Sequence, residues 1–372
     1  MSRPLRIGVV CFPSLGGSGV VASELALGLA ERGHDVHLLA SARPGRAHAS
    51  AHLTFHPVRV PTYPLFEHPP YGLAVASLIV EVARAHALDL VHVHYAVPHA
   101  SSALLARQVL GPRAPRLVTS LHGTDVAPLG ADPSFRAVTA HAVATSDKII
   151  LPSAYLRGQL HARLGVPADA PVEVIPNFVD ADHFAPAAEP PLRAPSAPVR
   201  LIHVSNLRKV KRPVDLVEIL ARVRRHVDAS LTIVGDGPDR AAVEERAAAL
   251  GVERHLHLLG KRADFVDELR RADAFILPSE VESFGVAALE ALSTGVPVVA
   301  YRVGGLPEVV VEGVGRLIEP YDLDAFAHAV VETAGSHAAM GRAARAHVLA
   351  HFRRGPAIDR YLATFHRLLE LA

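Results

Sequence analysis

At 372 residues, half of them hydrophobic, the chain is too long for one ordinary core and suits two domains of roughly 180 residues each. Basic and acidic side chains nearly cancel, leaving a formal charge of +1 at pH 7, which excludes the strongly basic footprint of a nucleic-acid binder. The single cysteine, Cys11, cannot form an internal disulfide and fits a reducing cytoplasm; the opening MSRPLRIGVVCF lacks the apolar core of a secretion signal, and no run approaches the ~20 apolar residues of a membrane span.

In chain order, the apolar run 5–12 is expected to be a strand. It leads into Pro13, Ser14, Leu15, Gly16, Gly17, Ser18 and Gly19, and then into a helix that Gly33 stops. Glycines there let the backbone approach a ligand closely, and Ser18 is placed to cap the helix while the amides of Gly17, Ser18 and Gly19 face a phosphate. A plain structural turn accounts for the same residues, and the spacing misses the dinucleotide fingerprint.

Strands follow at 36–40, 53–60, 90–93, 117–120, 149–151 and 172–175, with helical spacing at 73–86, 100–109, 133–144 and 154–164. This alternation predicts a parallel, doubly wound sheet, in which polar residues just past strand ends are the candidates for binding. Two ends stand out: His92-Val93-His94-Tyr95, with Pro98 and His99 beyond, and His122-Gly123-Thr124-Asp125. His92 and His94 alternate with Val93 and so share a face. With no third ligand at a telling spacing, they are read as structural or cleft-lining residues, not as a metal pair. His122 either reaches a ligand or caps the strand edge, and Asp125 is a helix cap or a ligand. Tyr95 and Thr124 offer neutral hydroxyls that suit a small anionic acceptor. The aromatic and proline-rich stretch 63–71 has no periodicity and is expected to be an ordered loop.

Residues 181–198, ending in PAAEPPLRAPSAP, read as a semi-rigid linker between a first domain over 1–180 and a second over 199–355. The strand at 200–204 ends in Ser205-Asn206-Leu207, followed by four cations, Arg208, Lys209, Lys211 and Arg212, before Pro213 opens a helix. Such a run is a solvated turn or a diphosphate cradle. Two more strand ends bear Gly235-Asp236-Gly237 and Gly260-Lys261-Arg262, where backbone and Arg262 suit a nucleotide base. The strand ending at Leu277 leads through Glu282, Ser283, Phe284 and Gly285 into a helix expected from about 284 to 294, with Glu290 inside it. Amides at that helix start attract an anion, Glu282 is placed for sugar hydroxyls and Glu290 for a ribose; a solvated, dipole-complementing Glu is the alternative.

Glu282 followed by seven residues and Glu290, with Ser-Phe-Gly after the first Glu, resembles the signature of retaining nucleotide-sugar glycosyltransferases of family four. The resemblance implies the GT-B architecture, an α/β fold of two Rossmann-like domains with parallel doubly wound sheets facing each other across a cleft. The final helix, 356–372, would cross back to the first domain. It also implies that the loop at Gly17 contacts the donor diphosphate, that His122 lies near the donor sugar and that Asn177, in the hinge segment Ile175-Pro176-Asn177, faces the cleft. Family members carry Gly-Arg and then Lys five residues after the Arg. Lys211 matches that Lys, whereas Ser205-Asn206 departs from the pattern and shifts the Arg role to Arg208.

Residues 11–21, 92–99, 121–126 and 203–212 together are similar to the family-four enzymes of bacillithiol biosynthesis. That implies transfer of N-acetylglucosamine from UDP-N-acetylglucosamine to the hydroxyl of L-malate. By the same resemblance, attack is front-face, Glu282 orients the sugar, and Lys211 and Arg208 neutralise the leaving phosphate. Neither a metal nor a cofactor is expected. The resemblance leaves the oligomeric state open, a homodimer among the options. Two other readings are an inositol phosphate or lipid acceptor, and a regulatory protein that binds a UDP-sugar without turnover.

Overall fold

Strands that alternate with helices are joined most simply as a parallel sheet, because a parallel pair needs a crossover connection. The computed structural model of the protein describes residues 3–14, 16–47, 50–127, 130, 132–188 and 197–370. It divides into two units, Met1–Asn177 with Arg354–Ala372, and Phe178–Arg353.

The first unit runs β1 (Arg6–Val10), α1 (Ser18–Glu31), β2 (Asp35–Ala40), β3 (Leu53–Pro57), α2 (Tyr71–His86), β4 (Leu90–His94), α3 (Ser101–Leu110), β5 (Arg116–Ser120), α4 (Pro133–Ala144), β6 (Lys148–Leu151), α5 (Ala154–Leu164) and β7 (Val172–Val174). Its seven strands lie in the order β3-β2-β1-β4-β5-β6-β7, all paired parallel. On one face, Val75 and Ile79 of α2 and Ala103 and Ala106 of α3 pack on Val10, Val91, Val93 and Leu117.

The second unit runs β8 (Val199–Val204), α6 (Pro213–Val223), β9 (Ala229–Val234), α7 (Arg240–Leu250), β10 (Leu256–Leu258), α8 (Val266–Arg270), β11 (Ala274–Leu277), α9 (Val286–Ser293), β12 (Val298–Tyr301), α10 (Leu306–Val309), β13 (Gly315–Ile318), α11 (Leu323–Gly335) and α12 (His337–His351). The sheet order is β10-β9-β8-β11-β12-β13, again parallel throughout. Successive side chains of β11 point to opposite faces, so Ala274 and Ile276 enter one core with Leu216 and Phe326 while Phe275 and Leu277 enter another with Phe284 and Leu289. A strand buried on both faces has to be apolar at every position, which is why this one reads as an unbroken run.

The last helix, α13 (Arg354–Glu370), belongs to the first unit and packs on α1. Gly28 permits the approach: a Cβ there would lie 2.8 Å from Ile358 Cγ1. Arg354 bonds Glu24 at 2.9 Å and Glu31 at 3.0 Å, and Arg32 bonds Asp359 at 2.8 Å.

Several expectations shift. Of the stretch read as linker, residues 189–196 lie outside the described residues, but Phe184 is buried in the second unit's core against Phe265 and so is not linker. The second unit starts at Phe178 and ends at Arg353, not at 199 and 355. The helix after Glu282 begins at Val286, because Gly285 at φ +95° breaks helical geometry ahead of it. From 323 onward the chain forms three helices, interrupted at Ser336 and Phe352.

Ile358 is fully buried between α13 and α1. Ile358→Ala is expected to cost about 2–5 kcal/mol, read as a lower urea midpoint for the first unit; an unchanged midpoint would refute the docking of α13.

Candidate active site

In the second unit the loops after β8, β11 and β12 adjoin because those strands are neighbours in the sheet. Glu280 N donates to Val210 O at 2.9 Å, and Gly305 N donates to Glu282 O at 2.9 Å. Gly304 sits at φ +57°, and a Cβ on it would fall 1.7 Å from Glu282 O, so only glycine lets the third loop close on the second.

These bonds hold Glu282 where its carboxylate takes Lys211 Nζ at 2.5 Å and Ser279 Oγ at 3.0 Å, both on Oε1. Lys211 ends a short 3₁₀ turn, Lys209–Lys211, whose preceding residue Arg208 is exposed. Lys211 therefore meets the acidic loop directly, while Arg208 and Lys209 remain at the surface. Arg212 turns away: its guanidinium bonds Asp215 at 2.6 Å and lies 4.6 Å over the Tyr321 ring.

His203, buried in β8, donates from Nδ1 to Ile276 O at 2.8 Å, which leaves Nε2 to accept from Ser205 Oγ at 2.7 Å. Burial lowers its pKa to about 4, so at neutral pH it is the uncharged group that fixes the Ser205 hydroxyl. Gly235, at φ +130°, packs on Ser205, and its amide bonds Gly260 O at 2.8 Å, drawing the turns that carry Lys261 and Arg262 beside Ser205 and Asn206. Lys261 and Arg262 are exposed, Arg262 lying 3.8 Å from Glu268. Phe284 is 2 % exposed, its ring packed edge-on to Phe352; its side chain serves the core, leaving only its backbone for a ligand. Glu290 is buried within α9, beyond the Ser283–Gly285 turn.

In the first unit Gly17, at φ +54°, is the N-cap of α1, and the helix begins at Ser18. Ser14 supplies the side-chain acceptor, Gly19 N donating to Ser14 Oγ at 3.2 Å. The expectation of a Ser18 cap fails because Ser18 is already the first helical residue; Ser14 sits outside the helix, where a cap must sit. Gly19 is required, since a Cβ would lie 2.4 Å from Ser14 Oγ. Leu15 lies outside the described residues.

The two histidine-bearing strand ends meet because β4 and β5 are adjacent. His94 Nδ1 is 3.0 Å from His122 Nε2 with the rings stacked, and His92 Nε2 is 2.8 Å from Ser120 Oγ. Tyr361 and Phe365 of α13 cover His92, at ring distances of 5.7 and 5.6 Å. His99 donates from Nδ1 to His94 O at 2.6 Å, and its Nε2 faces Tyr71 OH at 3.2 Å. Tyr95, at the strained φ of +86°, brings its ring 5.3 Å from that of His122. Asp125, 2 % exposed, accepts from His122 N at 3.0 Å and Gly123 N at 2.9 Å, so it builds the turn that presents His122 and is not left for a ligand. Thr124 beside it is exposed, and Asn177 is buried past β7. Burial raises the Asp125 pKa to about 6 against the opposing amides and lowers those of His92 and His122 to about 3 and that of His99 to about 4. His94 is pushed down in the same way. Among the described residues, His92 and His94 are in no cluster of three metal-ligating groups.

No role was read from the sequence for Ser14, Ser279 or His203. Only Ser14, five residues before Gly19 and ahead of a helix start, carries a local signal.

Two parallel Rossmann-like sheets, with glycine turns at the strand ends, define the GT-B class of sugar transferases. The profile of "Glycosyltransferase Family 4" matches residues 15–183, and that of "Glycosyl transferases group 1" matches residues 186–345. The chain is 38 % identical over 374 residues to "N-acetyl-alpha-D-glucosaminyl L-malate synthase" of Bacillus anthracis, covering 98 % of this chain and 97 % of that one. It is 33 % identical to a "GDP-mannose-dependent alpha-(1-6)-phosphatidylinositol monomannoside mannosyltransferase" of Mycolicibacterium smegmatis, covering 77 % and 78 % of the two chains. The crystal structure of Anabaena Alr3699/HepE, in complex with UDP and glucose, superposes with a TM-score of 0.78 at 20 % identity, covering 97 % of this chain and 99 % of that one. The chain belongs to the GT-B glycosyltransferases of family four.

Stability should fall as the solution is acidified. Each imidazole held neutral contributes stability above its ordinary pKa of 6.5 that is lost as pH falls toward its native value. The slope is about 1.4 kcal/mol per pH unit for each fully depressed group. Asp125, raised to about 6, acts in the opposite sense, but it is one carboxyl against His92, His94, His99 and His122. The first unit's melting temperature is therefore expected to drop between pH 7 and pH 5 by scanning calorimetry; a rise over that interval would contradict the neutral-histidine assignment.

Proposed function

We propose that the protein is a retaining transferase that moves N-acetylglucosamine from UDP-N-acetylglucosamine to the hydroxyl of L-malate, the first step of bacillithiol biosynthesis. The observation that carries this reading is the 38 % identity along 98 % of the chain to the Bacillus anthracis malate synthase. The Lys211–Glu282 pair fits it chemically. A lysine ammonium has three donors and Glu282 Oε1 takes one, so a diphosphate can be bonded without breaking the pair.

In this reading Lys211 and Arg208 stabilise charge on the leaving diphosphate, together with the amides of Gly17, Ser18 and Gly19. Glu282 Oε2 orients the sugar, the Ser283, Phe284 and Gly285 amides bond the donor, and Glu290 takes the ribose hydroxyls. Ser205, Asn206, Gly235, Lys261 and Arg262 hold the rest of the nucleotide. The C1–O bond to UDP breaks as the malate hydroxyl attacks the same face, and the leaving phosphate oxygen takes the hydroxyl proton. His122, neutral and oriented by His94, acts as a hydrogen-bonding partner of the sugar and not as a charged acid. Tyr95, Thr124 and Asn177 are assigned to the acceptor. No metal or cofactor enters the scheme. The compartment it assigns is the cytoplasm, in keeping with the free, buried thiol of Cys11; among the described residues no helix is long and apolar enough to cross a membrane.

UDP release from UDP-N-acetylglucosamine is expected to depend on L-malate, with a malate glycoside found by mass spectrometry. Malate-independent release, or release that needs inositol phosphate, would overturn the acceptor assignment. UDP binding without turnover on any acceptor would make the protein a sugar-nucleotide sensor.

Lys211→Ala should weaken UDP binding about 10- to 100-fold, the worth of one bond to a charged group, and Glu290→Ala should also weaken it. His122→Ala should mainly lower kcat. Unchanged UDP affinity in both of the first two variants would defeat the donor assignment.

A further inference from the structure

Three histidines that the transferase reading leaves unused meet on the outer part of the first unit's sheet. They are His37 on β2, His56 on β3 and His86, the last residue of α2. One ring nitrogen of each lies within 4.8 Å of the other two. His37 Nδ1 stands 2.9 Å from His56 Nε2, and the His37 and His86 ring centres are 4.0 Å apart. The remaining nitrogen of His37, Nε2, lies 3.3 Å from Asp35 Oδ2.

We propose that His37, His56 and His86 form a binding site for one borderline divalent cation, zinc in the first place, with Asp35 orienting His37 from the outside.

The hydrogen-bond roles lead to it. A carboxylate only accepts, so His37 Nε2 carries the proton and Nδ1 presents its lone pair inward, toward His56. A ring whose outer N–H is held by a carboxylate while its inner nitrogen faces other imidazoles is the arrangement that orients metal-bound histidine. The ligand set is three neutral nitrogens, which suits zinc, nickel, cobalt or copper and disfavours magnesium and calcium.

The scaffold is rigid where it matters. His37 lies opposite Thr54 in the β2–β3 ladder and His56 two residues further on, so both rings rise from one face of paired strands. Tetrahedral zinc with about 2.0–2.1 Å bonds wants nitrogens about 3.3 Å apart, an opening of a few tenths of an ångström for the His37–His56 pair, with the His86 nitrogen within 4.8 Å of both. A cation there would clip β3, at the end of the sheet, to the end of α2.

The test is calorimetric titration of full-length protein, stripped with EDTA and desalted, with zinc and separately with cobalt and magnesium. One equivalent of zinc is expected to bind, cobalt should show the visible bands of a tetrahedral site, and zinc should raise the melting temperature. His86→Gln, at a helix end where folding is safe, should weaken zinc at least about 100-fold and abolish the thermal shift. Asp35→Asn should weaken it about 10- to 100-fold, while His328→Gln, an exposed histidine of the second unit, should leave it unchanged. Absence of stoichiometric binding, binding indifferent to His86→Gln, or a preference for magnesium would each overturn the proposal and leave a hydrogen-bonded histidine stack.

Discussion

In a parallel sheet every strand ends on the same edge, so every loop that follows a strand opens there, and the rest of this structure depends on that constraint. Both sheets are parallel in all registered pairs, and each candidate residue lies in a strand-end loop or in the helix just after one. Loops crowded onto one edge must pass backbone against backbone. Gly304 against Glu282 and Gly235 against Ser205 are the points where no side chain fits.

The polar groups then follow an order set by burial. His203 and Asp125 are buried and bonded to backbone, and they fix Ser205 and the His122 turn. Lys211 and Glu282 retain partial exposure, at 21 % and 11 % of their side chains. The buried His203 and Asp125 position their neighbours, and the exposed cations Arg208, Lys261 and Arg262 can reorient at low cost.

The first unit adds an unusual feature, histidines placed against histidines. His94 faces His122, His92 faces His94, and His37 faces His56 and His86. Such contacts are tolerable only between neutral rings, since two imidazolium groups at these distances would repel strongly in a medium of low dielectric. Burial supplies that neutrality for His37, His56, His92, His94 and His122.

The amino-acid order alone carries the alternation of strand and helix, the glycine stops and the Glu282-to-Glu290 spacing, because periodicity and turn chemistry act over a few residues. It placed the Pro133–Ala144, Ala154–Leu164 and Pro213–Val223 helices where they occur. It missed the Ser14 cap and the burial of Phe184, which depend on where a helix begins and on what a proline-rich stretch packs against. That β8 lies beside β11 and β4 beside β5 emerges with the packed fold. That order pairs Lys211 with Glu282, 71 residues apart, and His94 with His122, 28 residues apart. It likewise gathers His37, His56 and His86. Strand order is settled by how whole helices and strands pack their apolar faces, an energy spread over the unit and written in no local window of the chain.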